Sequence, residues 1–166
     1  PLRLPVELEK SRYDVVIGAD LISRAGALLA PLLPRRSVIV ITDETVKPLY
    51  LPRLLASFEE TGIEARTITV APGEQTKCWA TYQNVVDTIL EGGVERRTAI
   101  IALGGGVVGD LAGFVAATTL RGLPFVQIPT PLLSHVASSV GGKTGFNSRW
   151  GKNLIVAVHQ PLSVLV

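Results

Sequence analysis

The sequence is short of cysteine, histidine, methionine and net charge, and each shortage excludes something. One cysteine in 166 residues, Cys78, rules out a disulfide framework and fits a reducing, cytoplasmic setting. Cys78 is better read as a small residue near a helix start than as a nucleophile. The two histidines, His135 and His159, stand apart, and no Cys/His/Asp/Glu group has ligand spacing, so no metal is assigned to this chain. A formal net charge of +2 gives no case for a nucleic-acid partner. The most apolar early stretch, Ala25 to Ile41, is broken by Pro31, Pro34, Arg35 and Arg36, so it does not read as a membrane span. There is no signal-peptide pattern, no methionine, and no internal repeat, low-complexity segment or linker. What is present is 47% hydrophobic and 18% charged, the balance of a folded chain, and residues 1–166 read as one domain able to bury a core.

The chain is organised around Ile100-Ile-Ala-Leu-Gly-Gly-Gly-Val-Val-Gly-Asp110. An apolar run from Thr98 to Leu103 has the length and branching of a buried strand, and a helical pattern runs from Val108 to Leu120. Strand, glycine turn and helix together bind phosphate, because glycines let the backbone approach an anion and a helix start offers unpaired N–H groups. Gly104, Gly106 and Gly109 satisfy G-x-G-x-x-G. The dinucleotide fingerprint also wants an acid about 20 residues on, and none stands in Val126–Pro131. Either the turn is only a tight strand–helix connection, or the ribose acid comes from elsewhere, with Asp43 the candidate.

Around this centre the segments alternate. Leu4–Leu8 and Tyr13–Ile17 predict a short N-terminal β-hairpin. Helices are predicted over Leu21–Leu33, Tyr50–Thr61 and Trp79–Leu90, and strands over Ser37–Thr42, Glu64–Val70 and Phe125–Ile128. Asp43-Glu-Thr45 and Ala71–Lys77 are polar turns at strand carboxyl ends, where open α/β sheets bind ligands. The pattern predicts an α/β, Rossmann-like parallel sheet with helices on both faces, plus the hairpin. The apolar run Leu162–Val166 is expected to lie exposed at an edge, where it would promote self-association.

The C-terminal third crowds small, polar and cationic residues into Ser138–Gly145 and Gly151-Lys-Asn153. A P-loop reading fails, since its first glycine would fall on Ala137 and no strand leads directly into it. A solvated glycine loop with surface lysines is the ordinary reading. Two lysines and an asparagine, in a chain with another anion-binding turn, raise an anionic substrate as the alternative.

Gly104–Phe114, Leu120-Arg-Gly122, Ser138–Gly145, Gly151–Ile155 and His159-Gln-Pro161 together resemble the 3-dehydroquinate synthase family of sugar-phosphate cyclases, in its N-terminal, NAD-binding half. The resemblance implies an enzyme acting on a seven-carbon keto-acid sugar phosphate. In that family, bound NAD transiently oxidises a ring hydroxyl, phosphate leaves by elimination, the hydride returns, and an aldol step closes the carbocycle. It also implies a divalent metal, zinc or cobalt, whose glutamate and histidine ligands lie in the family's other half, and a homodimer.

By position, the resemblance assigns Asp43 to the adenosine ribose and Glu74 and Lys77 to nucleotide contact. Gly105, Gly106 and Asp110 fall to the pyrophosphate and nicotinamide side, and Thr130 to a paired-threonine position whose partner here is Pro131. Lys143, Lys152 and Asn153 would be shared between nicotinamide and substrate and carry the catalysis. Arg121 would reach the substrate phosphate from a neighbouring subunit, and Lys143 and Asn153 would also bind substrate. Ala137 replaces an acid that contacts substrate hydroxyls in the family, and Asn147-Ser-Arg149 departs from its Asn-His-Pro. Two other readings stay open: a non-catalytic NAD-binding module, and a relative of the metal-dependent polyol dehydrogenases, against which the lysine loop argues.

Overall fold

Both faces of the central strands are covered, and the alternation of their side chains shows it. In a computed structural model that describes residues 1–8, 12–130, 143–148 and 151–166, β3 (Ser37–Asp43) and β5 (Ala99–Gly104) are neighbouring interior strands of a seven-stranded sheet. Val38, Val40, Ala99, Ile101 and Leu103 point into one core, with Leu29, Leu51, Leu54 and Phe58. Ile39, Ile41, Ile100 and Ala102 point into a second core, with Val85, Ile89, Leu111 and Val115. A strand buried on both sides needs a continuous apolar run, and Ala99–Gly104 is buried along its whole length.

The first core packs under α1 (Ala25–Leu29) and α2 (Lys47–Glu60), the second under α3 (Trp79–Glu91) and α4 (Gly106–Thr118). The hairpin of β1 (Leu2–Glu7) and β2 (Arg12–Ile17) closes one edge, pairing Leu2 with Ile17 and Glu7 with Arg12. The other edge is β4 (Glu64–Val70), parallel to β3 in full register from Ser37–Glu64 to Asp43–Val70. Beside β5 lies β6 (Phe125–Pro129). The order across the sheet is β1-β2-β9-β6-β5-β3-β4, with β9 at Ser163–Leu165.

Leu162–Val166 therefore corrects the expectation of an exposed edge. It inserts between β2 and β6, and Ser163 to Val166 are at most 6% exposed. Its partners are more than 35 residues back in sequence, so composition alone marked it apolar without saying what covers it.

The predicted helix from Leu21 to Leu33 is a 3-10 turn, Ile22–Arg24, followed by the short α1. Pro31 has no N–H to donate and stops the helix early. There Gly26 packs against α2: its amide donates to Ser57 Oγ at 2.8 Å, and an added Cβ would lie 2.3 Å from the Ser57 carbonyl oxygen. Helix α2 begins three residues before Tyr50, with Pro48 in its first turn, where a missing amide costs nothing.

Besides β9, two further strands were not anticipated. β7 (Lys143–Ser148) and β8 (Gly151–Val158) form an antiparallel ribbon, with β7 running along α4. The sheet on one side and the ribbon on the other explain why α4 is apolar all round and buries Val108, Leu111, Ala112, Phe114, Val115 and Ala116. No helix among the described residues is long and apolar enough to cross a membrane.

Candidate functional site

The connections reverse between β3 and β5. From β3 the chain leaves through α2 on one face to β4; from β5 it leaves through α4 on the other face to β6. The crevice at the carboxyl ends of two such strands is where doubly wound sheets take ligands. Asp43 closes β3 there, and the glycine turn closes β5.

Each fingerprint glycine has a local reason. A Cβ on Gly104 would lie 2.9 Å from the Cβ of Val108, so a side chain there would block the strand's turn into the helix. Gly105 is extended and precedes the first helical residue, Gly106, two residues ahead of the predicted start at Val108. The turn is thus itself the head of α4. The amides of Gly106, Val107 and Val108 have no intrahelical acceptor and open toward the crevice, where the helix dipole favours an anion. Gly109 lets α4 approach β6, since its Cβ would meet Gln127 Oε1 at 3.0 Å. On the other side of the turn, Thr130 N–H donates to the Gly104 carbonyl at 2.9 Å. Among the described residues, the buried Thr130 Oγ1 has no hydrogen-bond partner.

The loop after β4 joins the same site. Lys77 is 2% exposed; its Nζ donates to Asp110 Oδ2 at 2.8 Å and lies 3.5 Å from Glu74 Oε1. Three residues proposed from sequence on two separate segments are one ion-pair cluster, which ties that loop to the second turn of α4. Sequence offered no sign of the pairing, since Lys77 and Asp110 are 33 positions apart. Asp43 spends Oδ1 on the amides of Thr45 and Val46, at 2.9 and 2.8 Å, shaping the entry to α2. That leaves Oδ2 directed by a fixed carboxylate. Next to the cluster, Cys78 occupies the N-cap position of α3; the Thr81 hydroxyl and amide hold its thiol below the ordinary value against the opposing effect of burial.

The remaining candidates are spread out. Lys143 starts β7, not a glycine loop, while Lys152 and Asn153 start β8. The register pairs Lys143 with Val158 and Ser148 with Gly151, which sets Lys152 four residues along the ribbon from Lys143, roughly 13 Å. Pro131, His135, Ala137 and the Ser138–Gly142 part of the lysine loop lie outside the described residues. Arg121 sits past the far end of α4, and the 13 residues of that helix put it roughly 20 Å from the glycine turn of its own chain. Leu120 and Arg121 both have left-handed backbones, φ 47° and 66°, ahead of Gly122 at 112°. Non-glycine residues held in that region cost about 1–3 kcal/mol each and persist only where their surroundings impose them.

A family profile described as 3-dehydroquinate synthase N-terminal matches residues 67–166. A 3-dehydroquinate synthase from Ruegeria sp. (strain TM1040) is 54% identical over 160 residues, covering 96% of this chain and 43% of the relative. The chain thus spans less than half the length of the curated relatives it matches. Among solved structures, 2-deoxy-scyllo-inosose synthase complexed with carbaglucose-6-phosphate, NAD+ and Co2+ superimposes with a TM-score of 0.90 at 24% identity, over 99% of this chain and 44% of that one. At that identity the likeness establishes the fold. The 2-epi-5-epi-valiolone synthase from Streptomyces hygroscopicus subsp. jinggangensis 5008, with NAD+ and Zn2+ bound, has a TM-score of 0.82 at 32% identity, over 96% of this chain and 44% of that one. Since the profile spans more than half of the chain and the sequence match runs along nearly all of it, the chain belongs to the 3-dehydroquinate synthase family and corresponds to its N-terminal part.

Proposed function

We propose that residues 1–166 form the nucleotide-binding domain of a 3-dehydroquinate synthase. The enzyme would convert 3-deoxy-D-arabino-heptulosonate 7-phosphate to 3-dehydroquinate and phosphate with catalytic NAD and a divalent metal. The observation that carries the reading is the crevice between β3 and β5, where Asp43, the head of α4 and the Lys77–Asp110 pair converge. Its polar groups suit a dinucleotide: amides of Gly105 and Gly106 for the pyrophosphate, the Asp43 carboxylate to accept from ribose hydroxyls, and the buried Thr130 hydroxyl, which has no partner among the described residues. NAD, when bound, supplies a reversible hydride acceptor. Lys77, fixed by Asp110 and Glu74, holds its positive charge at the nucleotide without moving. Lys143, Lys152 and Asn153 bind and orient the anionic substrate and move protons at its ring oxygens. Arg121, on the far side of α4, would reach the substrate phosphate of a second copy, which fits its distance from the turn of its own chain.

The described residues include no group of three or more His, Cys, Asp or Glu able to hold a metal, so no step is assigned to a metal here. Titration calorimetry with NAD tests the reading, with Gly106→Val as control because its side chain would stand before the amides at the helix start. Measurable heat from the native chain and none from the variant is the expected result; equal heats from both would refute it.

A further inference from the structure

The fold joins two motifs that sequence could only note separately, Leu120-Arg-Gly122 and His159-Gln-Pro161. His159 follows β8, and its Nε2 donates to the Leu123 carbonyl at 2.7 Å, across 36 positions of sequence. Leu123 is fully buried, so its carbonyl needs a partner, and the imidazole is that partner. The ring also lies against Gly122, with Cε1 3.4 Å from where a Cβ would stand. The rest of the turn is held from the other side, by Gly122 N–H to the Thr119 carbonyl at 2.9 Å and Leu123 N–H to the Ala116 carbonyl at 2.7 Å. Between these anchors Leu120 and Arg121 are forced into left-handed backbone and carry their side chains outward. None of the ion pairs among the described residues uses Arg121. A strained turn that presents a cation the domain does not use for its own packing points to a function outside the domain.

We propose that His159 is a positioning residue for Arg121. By closing the Leu120–Gly122 turn through the Leu123 carbonyl, it fixes the direction in which the guanidinium leaves the surface. The effect on the reaction rests on the reading of Arg121 as a phosphate anchor for a neighbouring copy; the closure of the turn does not.

The test uses the complete enzyme, with kcat and KM for the sugar phosphate and hydrogen–deuterium exchange over residues 119–123. Arg121→Ala should raise KM about tenfold or more with kcat nearly unchanged, the mark of a lost binding contact. His159→Phe keeps a ring but removes the donor; it should raise KM roughly three- to tenfold and speed exchange in the turn, while His159→Gln, which keeps a donor, stays close to the native enzyme. The double variant His159→Phe/Arg121→Ala should be no worse than Arg121→Ala alone, because His159 acts through Arg121. Additive losses would overturn the proposal and make His159 a general structural residue. If His159→Phe does not fold, His159→Asn, with its shorter reach, takes its place under the same criteria. If Arg121→Ala leaves KM unchanged, the anchor reading fails, and the closure stands or falls on whether loss of the His159 donor speeds exchange in 119–123.

Discussion

Replacing Asp110 by alanine tests whether the buried lysine is the keystone of the proposed nucleotide site. The Lys77 side chain is 3% exposed, and its ammonium has Asp110 at 2.8 Å and Glu74 at 3.5 Å. At an effective dielectric of about 20, attractions at those distances are roughly 6 and 5 kcal/mol before desolvation is subtracted. Glu74 is 40% exposed, so water screens much of its share, whereas Asp110 is 29% exposed and closer. Stripping one partner from a buried charge costs about 3–5 kcal/mol, and the residual pairing to Glu74 puts Asp110→Ala near 3 kcal/mol. For a chain of this size that is a fall in Tm of about 6–12 °C. Glu74→Gln should cost under about 1 kcal/mol. The assay is urea and thermal unfolding of the native chain, both single variants and Lys77→Met/Asp110→Ala. If charge is the cause, the double variant recovers stability relative to Asp110→Ala, because it removes the stranded cation. A double variant that is less stable still, or equal losses from Asp110→Ala and Glu74→Gln, would refute the reasoning. NAD affinity should fall with Asp110→Ala, since the loop bearing Lys77 is then untied from α4.

Gly26→Ala should destabilise the domain by about 1–3 kcal/mol, because its Cβ would drive into the Ser57 carbonyl oxygen at 2.3 Å; an unchanged urea midpoint would count against the tight α1–α2 crossing. Cys78 should alkylate at lower pH than a free thiol, since Thr81 favours the thiolate, and Thr81→Val should move the labelling midpoint upward; no movement would deny Thr81 that role. The isolated chain should release no phosphate from the sugar phosphate, with or without zinc. Adding the relatives' remaining C-terminal part in trans, with Ala137→Asp, should restore some turnover, and robust zinc-dependent release by the chain alone would relocate the chemistry.

Sequence determined the sheet's interior, because its signals are local. The apolar, β-branched runs Val38–Ile41 and Ala99–Leu103 are short and each is followed by a polar or glycine turn, which reads as a strand covered on both faces. That was enough to place Asp43 and Gly104–Gly106 at strand ends, and so at one crevice. Tertiary structure decided what depends on distant partners. The strand Ser163–Leu165 found its place only through β2 and β6, and the ribbon of Lys143–Ser148 with Gly151–Val158 was hidden by glycine, lysine and asparagine, whose strand preference is set by packing rather than by the residue. Pro31 cut short a helix whose apolar spacing ran on to Leu33. The Lys77–Asp110 pair, the His159 bond to Leu123 and the separation of Arg121 from the glycine turn are contacts or distances across more than a dozen residues. No periodicity encodes them: they exist only once the sheet has brought its connections together.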